Sequence, residues 1–106
     1  MKILCATILI LLCCTRSLAN EYCDMMASIA GTAAYMHQNG FSKAETYKLL
    51  DDKMNSSISG DLRQVIYEAI DIGYILPIQR EQSAKDYIIQ TVRGAYYESC
   101  TRAMRK

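Results

Sequence analysis

Beyond Ala19 the chain holds two cysteines, Cys23 and Cys100, one near each end of a stretch that carries helix signals almost throughout. A bridge between them would fasten the first helix to the last, which leaves few ways to arrange what lies between. Closing so long a loop removes about 4 to 5 kcal/mol of unfolded-chain entropy in the simple loop model, an upper figure that rivals the net stability of a small domain.

The segment before that pair reads as a secretory leader. Lys2 supplies a charged start, Ile3 to Cys14 an apolar run, and Ser17 and Ala19 the small residues of a cleavage end. Arg16 closes the run too early for a membrane span, which needs about 20 apolar residues. Cleavage is expected after Ala19, leaving residues 20 to 106 as a single helical domain and discarding Cys5, Cys13 and Cys14 as apolar leader residues. Such a chain belongs in the periplasm or is secreted, where a disulfide persists, and no stable membrane span follows the leader.

Four helices are expected. Tyr22 to Gln38 places Met26, Ile29, Ala30, Ala33 and Ala34 at helical spacing, and Asn39-Gly40 supplies a left-handed stop. Ser42-Lys43-Ala44-Glu45 matches a capping box, so a second helix starts there with Ala44, Tyr47, Leu50 and Met54 on one face. After a polar turn at Asn55 to Gly60, Asp61 reads as the cap of a third helix. Leu62, Val65, Ile66, Ala69 and Ile70 give it the cleanest apolar stripe of the chain, and Gly73 ends it. Pro77 forces Leu76 out of helical geometry and breaks the short apolar link Tyr74 to Ile78. The last helix runs from Arg80 or Ser83 to about Thr101. Ala84, Ile88, Val92, Ala95 and Ser99 line one side, with Ile89, Tyr96 and Cys100 beside them. Short loops imply an antiparallel four-helix bundle, all-α and closed by the disulfide.

Charge excludes one class of partner. Setting aside Lys2 and Arg16 leaves ten basic against eleven acidic side chains, a net −1, with no clustered positive face for nucleic acid. Residues 20 to 74 carry four basic and eight acidic side chains, whereas residues 75 to 106 carry six and three. An acidic first half facing a basic second half balances antiparallel helices and also gives a dipolar surface that can steer a partner.

The chemistry of an enzyme is missing from the pattern. His37 is the only histidine and stands at a helix end, where capping suffices. Asp51 and Asp52 are helix neighbours pointing about 100° apart, so they do not form a proton-sharing dyad. Ser56, Ser57 and Ser59 lie in a turn. With both mature cysteines paired, no zinc ligand set remains. The expectation is therefore no enzyme, no catalytic residue, no metal and no cofactor.

Tyrosine is what stands out: eight Tyr, one Phe and no Trp. Tyr47 and Tyr96 lie on the core stripes. Tyr67, Tyr87 and Tyr97 fall off them, and Tyr74 and Pro77 belong to the apolar link, so these five are the expected partner-binding residues, in keeping with the Tyr-rich centres of protein interfaces.

In outline the chain resembles small periplasmic helical proteins of Gram-negative bacteria, which have a leader, about ninety mature residues and a cysteine near each end. That group includes acid-stress chaperones and the immunity proteins that block peptidoglycan-cutting effectors. The resemblance is architectural and carries over no functional residue. It implies a binding protein, first of the inhibitor or immunity type with another protein as partner. Alternatives are a stress chaperone triggered through its carboxylates or a carrier of a small apolar ligand, and a homo-oligomer is compatible with each.

Overall fold

A computed structural model of the chain describes residues 2–54 and 58–105, with side-chain surroundings from Leu18 onward. Among these residues all regular structure is helical: α1 (Lys2–Gln38), α2 (Lys43–Lys53), α3 (Gly60–Gly73) and α4 (Gln82–Met104). No helix among them is long and apolar enough to cross a membrane. Asn55, Ser56 and Ser57, in the expected polar turn, lie outside the described residues.

α1 begins at Lys2, well before the expected Tyr22. Neither Gly nor Pro occurs before Gly31, so no breaker interrupts the Leu-, Ile- and Ala-rich backbone. It stops as the sequence requires. Gly40 has φ +88°, the Phe41 N–H reaches the Met36 carbonyl at 3.0 Å, and the Gly40 N–H reaches His37 at 3.1 Å. Those two bonds satisfy carbonyls that the last helical turn would leave open.

The capping box of α2 is present in both directions: the Glu45 N–H donates to Ser42 Oγ at 3.1 Å, and the Ser42 N–H donates to Glu45 Oε1 at 3.2 Å. α3 starts earlier than expected. Its cap is Ser59, whose hydroxyl accepts from the Leu62 N–H at 3.2 Å, and Asp61 sits inside the first turn, where its charge favours the helix dipole. α4 starts at Gln82 and runs three residues past Thr101.

The core forms where α1 meets α3 and α4. Met26, Ala30, Ala33 and Ala34 of α1 pack with Ile66, Ala69 and Ile70 of α3 and Val92 of α4. Small residues on α1 let the neighbouring backbones come close. Gly73 shows why: a methyl group there would stand 2.5 Å from Ala33 Cβ and 2.7 Å from the Ala34 nitrogen. The glycine expected as a helix stop is thus also a packing requirement.

α1 and α4 meet from Cys23 to the end of α1. Lys85 donates to the Gln38 carbonyl, a Cβ at Gly31 would lie 3.3 Å from Arg93 Cβ, and Cys23 is bonded to Cys100 with 5.6 Å between Cα atoms. Residue numbers therefore rise along α1 as they fall along α4. Both α3 and α4 lie against α1 but touch each other little. This arrangement overturns one expectation about α4. Val92 is buried, yet Ala95 and Ser99 on the same stripe are exposed, because no part of α3 covers them.

Candidate functional site: an apolar trough beside the disulfide

What α3 leaves uncovered is a recess of about 670 Å³. One wall is α4, where Thr91, Ala95, Ser99 and Ala103 repeat every four residues and so share a face, with Val92, Tyr96, Cys100 and Met104 beside them. Tyr22 of α1 contributes at the disulfide end. Ile72, Ile75 and Leu76, from the last turn of α3 and the link beyond, contribute at the other. From Thr91 to Met104 the helix rises about 20 Å, so the recess is a trough.

No charged side chain lines it. Its polar groups are the hydroxyls of Tyr22, Thr91, Tyr96 and Ser99, and burial foremost, then Tyr22 and Glu68, push the Tyr96 hydroxyl up and keep it neutral. Apolar side chains stand open at both ends, with Ile75 70% exposed and Met104 49%. The charges nearest the lining are Glu68, which acts on the Tyr96 hydroxyl, and an ion pair on α4. Arg102 and Glu98, each three residues beyond a lining position of α4, pair with each other at 2.7 Å.

The five expected binding residues fall in different surroundings. The Tyr67 hydroxyl donates to Asp51, which also accepts from Arg63 Nη1 at 2.9 Å. Its ring lies 5.0 Å from that of Tyr47, whose hydroxyl donates to Asp71 beside Lys43. That bond foremost, then burial, pushes Tyr47 up to about 12. Asp51 is thus a link between α2 and α3, whereas Asp52 is exposed.

Tyr74 is an internal hub. Its hydroxyl lies 2.6 Å from Thr46 Oγ1 and 3.0 Å from the carbonyls of Phe41 and Ser42, and its ring packs 4.5 Å from that of His37. Pro77 is exposed, but its carbonyl accepts from the buried Gln38 Nε2 at 3.0 Å, while the Gln79 N–H donates to Gln38 Oε1 at 2.8 Å. Tyr87 is 72% exposed. Tyr97 borders a shallow recess with Asp24, Ala27, Gln90, Arg93 and Gly94.

Sequence reasoning missed the trough because it placed Ala95 and Ser99 on the same stripe as Val92, whereas both are exposed; Tyr96 packs against the core as expected. A signal was there: the apolar arc of α4 is wider than one neighbouring helix covers. Among the described residues no three His, Cys, Asp or Glu side chains converge into a possible metal-holding group. Compared with family models, with curated proteins and with solved structures, the chain matches none of them.

Proposed function

We propose that this chain is a small exported binding protein that takes an apolar part of its partner into the trough. In this reading residues 1–19 are a leader removed in transit, the mature domain is an antiparallel four-helix bundle, and the Cys23–Cys100 bridge forms in the periplasm or outside the cell. One observation carries it: a long recess with no charged lining stays open beside the packed core. Recesses of this size and composition are where proteins hold apolar ligands.

Ala95→Arg places a charge on the exposed wall without touching the core. The exported protein should co-purify with, or saturably bind, an apolar component that Ala95→Arg no longer retains. Identical retention by the two proteins would refute the reading.

A second reading, an inhibitor that docks on another protein, is favoured by a different face of α1 and α4. There Arg93 borders two shallow recesses, one reaching exposed Tyr35 and the other Tyr97, and Gly94 leaves bare backbone in mid-helix. Tyr, Arg and close backbone access are what interface centres use. Arg93→Ala should abolish capture of such a partner where Ala95→Arg does not, and the reverse pattern would exclude this face.

A further inference from the structure

The two halves of the Cys23–Cys100 bridge are not equally reachable. Cys23 is 0% exposed and takes no part in the trough wall, whereas Cys100 is half-buried and lines it. One half of the bridge therefore borders an open recess and the other is enclosed by protein.

We propose that Cys100 is a thiol-exchange site, where an outside thiol enters the bridge and a thiol-derived group becomes attached. This holds whatever else the trough carries. In the step, the thiolate of a small thiol or of a protein dithiol attacks Cys100 Sγ and forms a new S–S bond. The bond to Cys23 breaks, its electron pair leaves with Cys23 Sγ, and that sulfur then takes a proton from water. One disulfide replaces another, so no further oxidant or reductant is consumed. A dithiol completes the reduction when its second thiolate attacks its own first sulfur, which leaves the dithiol oxidised and Cys100 as a free thiol.

Access decides which sulfur is attacked. A thiolate aimed at Cys23 would have to leave water entirely, which is costly for an ion, whereas Cys100 is approached from the open trough. Departure is slower than approach, because burial disfavours charge on the leaving Cys23, and that sulfur stays beside the mixed disulfide, placed to displace the newcomer. A monothiol is thus mostly expelled again, and a dithiol carries the exchange through. No charged side chain lines the trough, so an uncharged reagent loses less on entry than an anionic one.

The test starts from the oxidised exported protein, treated with mercaptoethanol at the concentration that opens half of the bridges, quenched with acid and alkylated with N-ethylmaleimide in urea. Peptide mass spectrometry should find mercaptoethanol on Cys100 and maleimide on Cys23, at least about tenfold above the reverse pattern. The single variants Cys23→Ser and Cys100→Ser are then compared. The thiol left at Cys100 should react with dithiodipyridine, an uncharged disulfide, at least about tenfold faster than the thiol left at Cys23, and urea should abolish the gap. Dithiobisnitrobenzoate, which carries two carboxylates, should lag behind dithiodipyridine at Cys100 more in the folded protein than in urea.

Adducts shared evenly between the cysteines, found on Cys23, or absent at half opening overturn the proposal. Equal rates of the two thiols in folded variants overturn it as well. Where circular dichroism shows either single variant unfolded, the adducts on the wild-type protein alone decide. An equal lag of dithiobisnitrobenzoate in folded protein and in urea overturns the trough as the route to Cys100.

Discussion

Gly73 of α3 lies directly against Ala33 of α1, so close that the Cβ of any other residue would come within 2.5 Å of the alanine's. Backbone atoms of Ala30 and Ala34 stand at 2.8 and 2.7 Å from the same point, so relief requires the helices themselves to separate. Gly73→Ala should therefore lose about 1–3 kcal/mol or more, the cost of overpacking a filled core. Gly94, in mid α4, has nothing within 4 Å of a Cβ. Gly94→Ala should gain about 0.5–1 kcal/mol from helix propensity alone. Urea melts of the two variants should move in opposite directions, and a shared direction would contradict the packing described.

The bridge between Cys23 and Cys100 spans 77 residues. The double Cys→Ser variant should lose up to about 4 kcal/mol, mainly through a less constrained unfolded chain. Denaturation under oxidising and reducing conditions measures it: wild type should become as labile as the variant only when reduced.

Tyr47 holds its proton more tightly in the folded chain, with a pKa of about 12 because its hydroxyl bonds to Asp71, against about 10 in an unfolded chain. The contribution to stability is therefore complete below about pH 10 and is lost as pH rises toward about 12. Because the side chain is largely solvated, the effect is small. Subtracting the melting profile of Tyr47→Phe from that of wild type should leave a difference that is flat below about pH 10 and shrinks above it. Ultraviolet titration should show one late-ionising tyrosine disappear.

Gln38 is 1% exposed and joins the end of α1 to the link at Pro77 and Gln79. Gln38→Leu keeps the volume but strands the Gln79 N–H, at a cost of about 1–3 kcal/mol. Hydrogen exchange at the Gln79 amide should accelerate far more than exchange in mid α3. Uniform acceleration would mean that the glutamine does not act locally.

Much of the local structure was legible. Ser42 and Glu45 announce a capping box, Gly40 a left-handed turn, and Ile66, Ala69 and Ile70 a buried stripe, because each signal involves neighbours within a turn or two. Ser59 and Asp61 are both good cap residues, and only the backbone geometry decides that Ser59 accepts from the Leu62 N–H. The hydrogen bonds of Tyr67, Tyr74 and Gln38 are not legible in the sequence for a different reason. Their partners Asp51, Thr46 and Pro77 lie 16, 28 and 39 residues away, and side-chain spacing carries no information over that distance.

Helix content, the cap and turn positions, the charge asymmetry and the availability of one cysteine near each end all follow from the order of residues, since they depend on backbone propensity and near neighbours. Which side of α4 is covered does not. Periodicity places Val92, Ala95 and Ser99 on one apolar face, and only the packing of α3 and α4 against α1 decides that Val92 is buried while Ala95 and Ser99 border an open trough. An apolar stripe states that a surface gains by leaving water. Whether another helix of the same chain supplies the cover, or a ligand must, depends on where the remaining helices have room to lie.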